Sequence, residues 1–101
     1  MASVSFNARE RRLVLEGLCW PTDARGVARA IEGYAEPSHV LVLDLTRLAS
    51  VPAEVADAIA TACAEVEQRH CPVRVWTLPG TPGTQRISSR HDRSPRSPAT
   101  V

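Results

Sequence analysis

Apolar and polar positions along the chain separate into six regular stretches before the pattern lapses. Residues 3–7, SVSFN, and 12–18, RLVLEGL, read as two strands, and the charged NARERR that joins them reads as the turn of an antiparallel hairpin. CWPTD ends the second strand, and Thr22 or Asp23 is placed to cap a helix that runs to Tyr34. Ala24, Val27, Ala28 and Ile31 recur there at helical spacing, although Gly26 weakens the segment. EPSH breaks that helix ahead of residues 39–45, HVLVLDL, a near-continuous apolar run expected of a central strand covered on both faces. The clearest helix runs from Pro52 to Arg69. Val55, Ile59, Ala62 or Cys63, and Val66 form its apolar stripe, while Glu54, Asp57, Thr61, Glu65 and Gln68 face away. CPVRVWTL is a further strand, in which Val73 and Val75 alternate with Arg74 and Trp76.

The order strand, strand, helix, strand, helix, strand predicts an α/β fold, a small mixed β-sheet with helices packed on it. Its last two strands are linked through a helix, which favours parallel pairing and a right-handed crossover. The length of 101 residues supports one small domain, placed at 1–84. Residues 85–101 belong to a stretch rich in Pro, Gly, Ser and Arg with almost nothing to bury, and are expected to form a disordered tail.

Composition alters this picture mainly through charge. Residues 1–85 carry 8 Arg against 10 acidic residues, whereas residues 86–101 carry 4 Arg against a single Asp. The folded part therefore offers no basic face to nucleic acid, and only the tail does. No apolar run has the form of a signal peptide or the length of a membrane span, so the cytoplasm is the expected location. Cys19, Cys63 and Cys71 are odd in number and lack CxxC spacing, which suggests neither a disulfide framework nor a zinc knuckle. Cys63 falls on the apolar side of its helix and reads as a small buried hydrophobe.

Candidate chemistry is sparse. LPGTPGT contains two glycines, but no Lys-Ser/Thr follows, so it fails as a phosphate-binding loop. His39, His70 and His91 have no ligand spacing with Cys or acids, and no nucleophile–base set converges on one segment. No metal or cofactor is expected. Interest settles on the junction VLDLTRLASVPAEVADAI, residues 42–59, where a strand turns into a helix. Asp44 there reads as a turn acceptor. Pro52 suits the first helical position, which puts Glu54 at the third, where an acid interacts well with the helix N-terminus. Glu54 also admits a reading as a built-in phosphate mimic, although one carboxylate carries less charge than a phosphoserine.

The element order and the segment VLVLDLTRLASVPAEVADAIATACAEVEQRHCPVRVW together resemble the STAS family, the sulphate-transporter and anti-sigma-factor-antagonist domains. In that family a strand ending in an Asp-Leu-Ser/Thr-like triplet, here Asp44, Leu45 and Thr46, leads to an Asp-Ser/Thr-Ser/Thr-Gly-like motif that opens an amphipathic helix. RHCPVRVW takes the place of the next strand's start, and RLVLEGLCWPTDARGVARAIEGY resembles the family's opening, with Gly17 where a glycine is usual. The resemblance covers residues 3–79 and implies a STAS-like fold, C-terminally shortened, with TPGTQRI as a vestige of the next helix. A missing element would leave apolar surface on the sheet or on helix 52–69, which favours a protein partner or a homodimer.

Counting forward from Asp44, the family's tetrad falls on Pro52, Ala53, Glu54 and Val55, so the phosphoacceptor position is Ala53, which has no hydroxyl. Ser50 is the nearest upstream hydroxyl and a weak candidate for modification, and Thr46 a weaker one. By resemblance the chain is expected to be a non-enzymatic bacterial module, an anti-sigma factor antagonist or degenerate relative. It would regulate sigma-factor-dependent transcription by binding a kinase-like anti-sigma factor. The alternative is a STAS regulatory or structural subunit of a lipid- or anion-transport assembly. The surface expected to bind is Ser50, Pro52, Ala53, Glu54, Asp57, Ala58 and Thr61.

Overall fold

The computed structural model describes residues 1–88. Strands β1 (Ser3–Asn7) and β2 (Arg12–Gly17) form the expected antiparallel hairpin, with Phe6 opposite Leu13. The Asn7 side chain tightens the turn by accepting from the Glu10 N–H at 3.1 Å. A 3-10 turn, Pro21–Asp23, leads into α1 (Ala24–Tyr34), then β3 (Leu41–Leu48), α2 (Ala53–Gln68) and β4 (Val73–Trp76). The sheet order is β1-β2-β3-β4, with β2, β3 and β4 mutually parallel.

That order decides where the core lies. Each of the two crossovers moves the chain one strand further in the same direction, so right-handed connections set α1 and α2 on one face of the sheet. Leu13, Leu15, Leu41, Leu43, Leu45, Val73 and Val75 point to that face and are buried against Val27, Ile31, Val55, Ile59 and Val66 of the helices. Burying each such side chain is worth roughly 1.5–3 kcal/mol. The expectation that β3 is covered on both faces is corrected: among the described residues no helix lies on the opposite side. Val14, Asp44 and Trp76 form one cross-strand row there. Arg12 leans over that row, with its guanidinium 5.7 Å from the Trp76 ring centroid and Nη1 3.2 Å from Asp44 Oδ2.

β3 also runs past the expected end at residue 45. Val14 pairs with Asp44 but Glu16 pairs with Arg47, so β3 holds one extra residue, a β-bulge. Asp44 holds this bulge, its Oδ1 accepting from the Thr46 N–H at 2.9 Å and the Thr46 hydroxyl at 2.6 Å. Inward alternation is reset, and Leu48 is buried three residues after Leu45.

The chain stays packed beyond the expected boundary at residue 84. Gln85–Ser88 forms a single helical turn, α3, and Ile87 is fully buried in the core. TPGTQRI thus does contain helix, docked on α2. Residues 89–101, the rest of the expected tail with His91, lie outside the described residues.

Candidate partner-binding surface

The carboxyl ends of β2, β3 and β4 lie along one edge of the sheet, because the three strands are parallel. In open α/β sheets this edge is where loops gather and ligands are met. Three segments emerge from it: Leu18–Trp20 after β2, Ala49–Pro52 after β3, and the loop 77–84 after β4. Leu18 is 65% exposed, Trp20 53% and Leu78 48%, so this edge is unusually apolar for a solvent-facing surface.

At the centre of the edge, Ser50 is exposed while Val51 is buried and tied by its N–H to the Pro82 carbonyl at 2.9 Å. Pro52 is the cap residue of α2, with φ −59° and ψ 152°, so Ala53 is the first helical position and Glu54 the second. The expectation of Pro52 at the first position is off by one residue, because the proline's extended ψ keeps it outside the helix. Glu54 still lies in the first turn, where an acid gains about 0.3–1 kcal/mol from the helix dipole. The first intrahelical bond runs from the Ala56 N–H to the Pro52 carbonyl at 2.9 Å, which leaves the N–H groups of residues 53–55 without intrahelical acceptors.

Of the seven residues expected to bind, Ser50, Ala53, Glu54, Asp57 and Thr61 are exposed, and Pro52 and Ala58 are half-buried. Their helical spacing puts Glu54, Asp57 and Thr61 along one outer face of α2, reached from the tip through Ala53. Ala58 and Thr61 belong at the same time to a groove between α2 and α1. Its floor is Ala24, Ala28, Ala58 and Ala62, and its walls include Arg25, Glu32 and Glu65. The sequence reasoning missed this groove and the exposed Leu18, Trp20 and Leu78. The available signal was a pair of alanines four apart on each helix.

The other candidates take structural places. Asp44 is buried with both carboxylate oxygens engaged by Thr46 and Arg12, and the Thr46 hydroxyl is spent on Asp44. Cys63 and Cys71 are buried, and the Cys71 thiol lies 3.4 Å from the His39 carbonyl. Burial, and then the nearby Asp23 carboxylate, push the half-buried Cys19 thiol up from its ordinary value, which disfavours the reactive thiolate. Among the described residues no group of three or more His, Cys, Asp or Glu is placed to hold a metal ion, and no helix is long and apolar enough to cross a membrane.

No family model and no curated protein sequence matches the chain. Its structure is similar to the crystal structure of an anti-sigma-factor antagonist STAS domain from Rhodobacter sphaeroides, with 14% sequence identity and a TM-score of 0.51. The match spans 74% of this chain and 83% of that one. The fold is thus a small α/β fold of the STAS type, as the element order led us to expect.

Proposed function

We propose that this chain is a STAS-type regulatory module that acts by protein–protein contact rather than catalysis, as an anti-sigma factor antagonist or a degenerate relative. Its partner is a kinase-like anti-sigma factor, and its output is sigma-factor-dependent transcription. The observation that carries this reading is the β3–α2 junction, which combines a STAS-type fold with an exposed tip at Ser50, Ala53 and Glu54. Ala53, the first helical residue, falls where the resemblance puts the phosphoacceptor. In this reading the module keeps the docking scaffold and lacks the hydroxyl whose phosphorylation would release the partner.

The test incubates the full chain with the kinase-like anti-sigma factors of its source organism and ATP, followed by native mass spectrometry. A complex that persists after ATP addition, with no phosphate on residues 50–54, is expected. Ala53→Ser is expected to become phosphorylated and to dissociate. Stoichiometric phosphate at the helix start of the unaltered chain would sink the claim of a lost switch. Absence of every such complex, together with co-purification with a transport assembly, would favour the transport-subunit alternative.

A further inference from the structure

We infer that the groove between α1 and α2 is a docking site for a basic amphipathic helix of a protein partner. α1 and α2 each return from the carboxyl edge of the sheet, so they run side by side in the same direction. Ala24 and Ala28 on α1 and Ala58 and Ala62 on α2 meet as two rows of methyl groups, which floor a groove of about 450 Å³. Between the walls of Arg25, Glu32 and Glu65, with nothing bulkier than Thr61 beside these rows, a third helix can approach at the short interaxial distances, about 8 Å, that small contact residues permit. From Ala24 to Glu32 the groove runs roughly 12 Å, or about two helical turns. Both walls are helices and offer no free strand edge, so an extended peptide would find no main-chain partners there. A helix satisfies its own backbone and loses nothing by docking.

Charge selects the occupant. Of the acids on α2, Glu65 lines the groove, and α2 carries no basic residue. At the far end of the groove Glu32 and Glu65 stand on opposite walls, and neither is in an ion pair among the described residues. Arg25 stands at the other end. A helix with Ala or Leu on its contact face and Arg or Lys where it passes Glu32 and Glu65 therefore fits both shape and charge. A second copy docking through its own α2 would bring the acids of both against each other. The inference rests on reading this side of the molecule as a partner surface, but it concerns the groove rather than the tip.

The probe is a 14-residue helical peptide with Ala and Leu on one face and Arg on the flanks, paired with a counterpart carrying Glu in place of Arg. Each is titrated into the ¹⁵N-labelled full chain. The Arg peptide is expected to shift the amides of Ala24, Ala28, Ala58, Thr61 and Ala62 saturably. The double substitution Glu32→Arg/Glu65→Arg is expected to weaken it about tenfold, and Ala58→Trp to block it by filling the groove. Equal binding of the Glu peptide, shifts confined to residues 50–54 or to the open sheet face, or an unchanged affinity after charge reversal would each overturn the inference. Concentration-dependent shifts of the groove amides without peptide would assign the groove to a second copy instead. No anti-sigma factor enters this measurement, so it fails or succeeds independently of the complex sought above.

Discussion

Gly83 lies flat against the carbonyl of Val51, so close that a β-carbon on Gly83 would overlap the Val51 oxygen. Together with the Val51 N–H bond to Pro82, this contact clamps the loop after β4 onto the residue just before the cap of α2. Gly83 also has φ +89°, in the region that costs a side chain about 1–2 kcal/mol. Gly83→Ala is therefore expected to destabilise the fold by about 2–4 kcal/mol, with overlap added to backbone strain. Urea denaturation measures the loss, and amide exchange at Val51 is expected to accelerate. An alanine variant as stable as the parent would show that the loop is not clamped.

The far end of α2 closes on His70. Its N–H donates to the Glu67 carbonyl and the Cys71 N–H to the Val66 carbonyl, both at 3.0 Å, in a Schellman motif with Cys71 buried near Val66. His70 supplies the left-handed residue at φ +70°, a conformation glycine adopts without penalty. His70→Gly is expected to stabilise the fold by about 0.5–1 kcal/mol, after the greater entropy of glycine in the unfolded chain is subtracted. A fall in the thermal midpoint would contradict this.

Asp44 and Arg12 form an ion pair that is buried on the Asp side and a quarter exposed on the Arg side. Asp44→Ala removes the bulge acceptor and leaves Arg12 with its exposed partner Glu10, 2.9 Å away. A loss of about 2–3 kcal/mol is expected, below the full cost of breaking a buried pair because Arg12 reaches solvent. In an Arg12→Met background the same substitution should cost about 1 kcal/mol less, which a double-mutant cycle reads directly.

Asp23 is expected to contribute to the fall of stability in acid. It accepts from the Trp20 N–H at 2.8 Å and the Ala2 N–H at 3.2 Å, and these two bonds hold its carboxyl below the ordinary aspartate range. A carboxylate whose folded pKa is depressed adds stability that is fully present above its unfolded value, near 3.9, and is lost as pH falls toward the lower folded value. Asp23→Asn is thus expected to lower stability at neutral pH and to flatten its fall below about pH 4. Parallel stability–pH curves for the two proteins would refute that assignment.

Much of this architecture was legible from local pattern. The hairpin, the two helices and the parallel β3–β4 pair follow from period and order, because side-chain alternation and crossover handedness are set by short-range sterics. The exposed tip was legible too, since Ser50, Ala53 and Glu54 sit where an apolar strand gives way to the polar face of a helix. The bulge was not, because it is a mismatch of register between β2 and β3 that exists only once Val14 pairs with Asp44 and Glu16 with Arg47. Nor was the place of Ile87, a lone apolar residue in a polar stretch that is buried only because α2 and the core offer it a site.

At the junction of residues 42–59 the chain by itself determines that a strand meets a helix and that residue 53 carries a methyl group, not a hydroxyl. Covalent identity and local propensity suffice for that. What surrounds the junction was decided only by tertiary structure. The 79–84 loop clamps Val51, Leu18, Trp20 and Leu78 come to one edge, and two pairs of alanines floor a groove. Each of those relations joins residues far apart in sequence, and no local period encodes which elements will lie side by side.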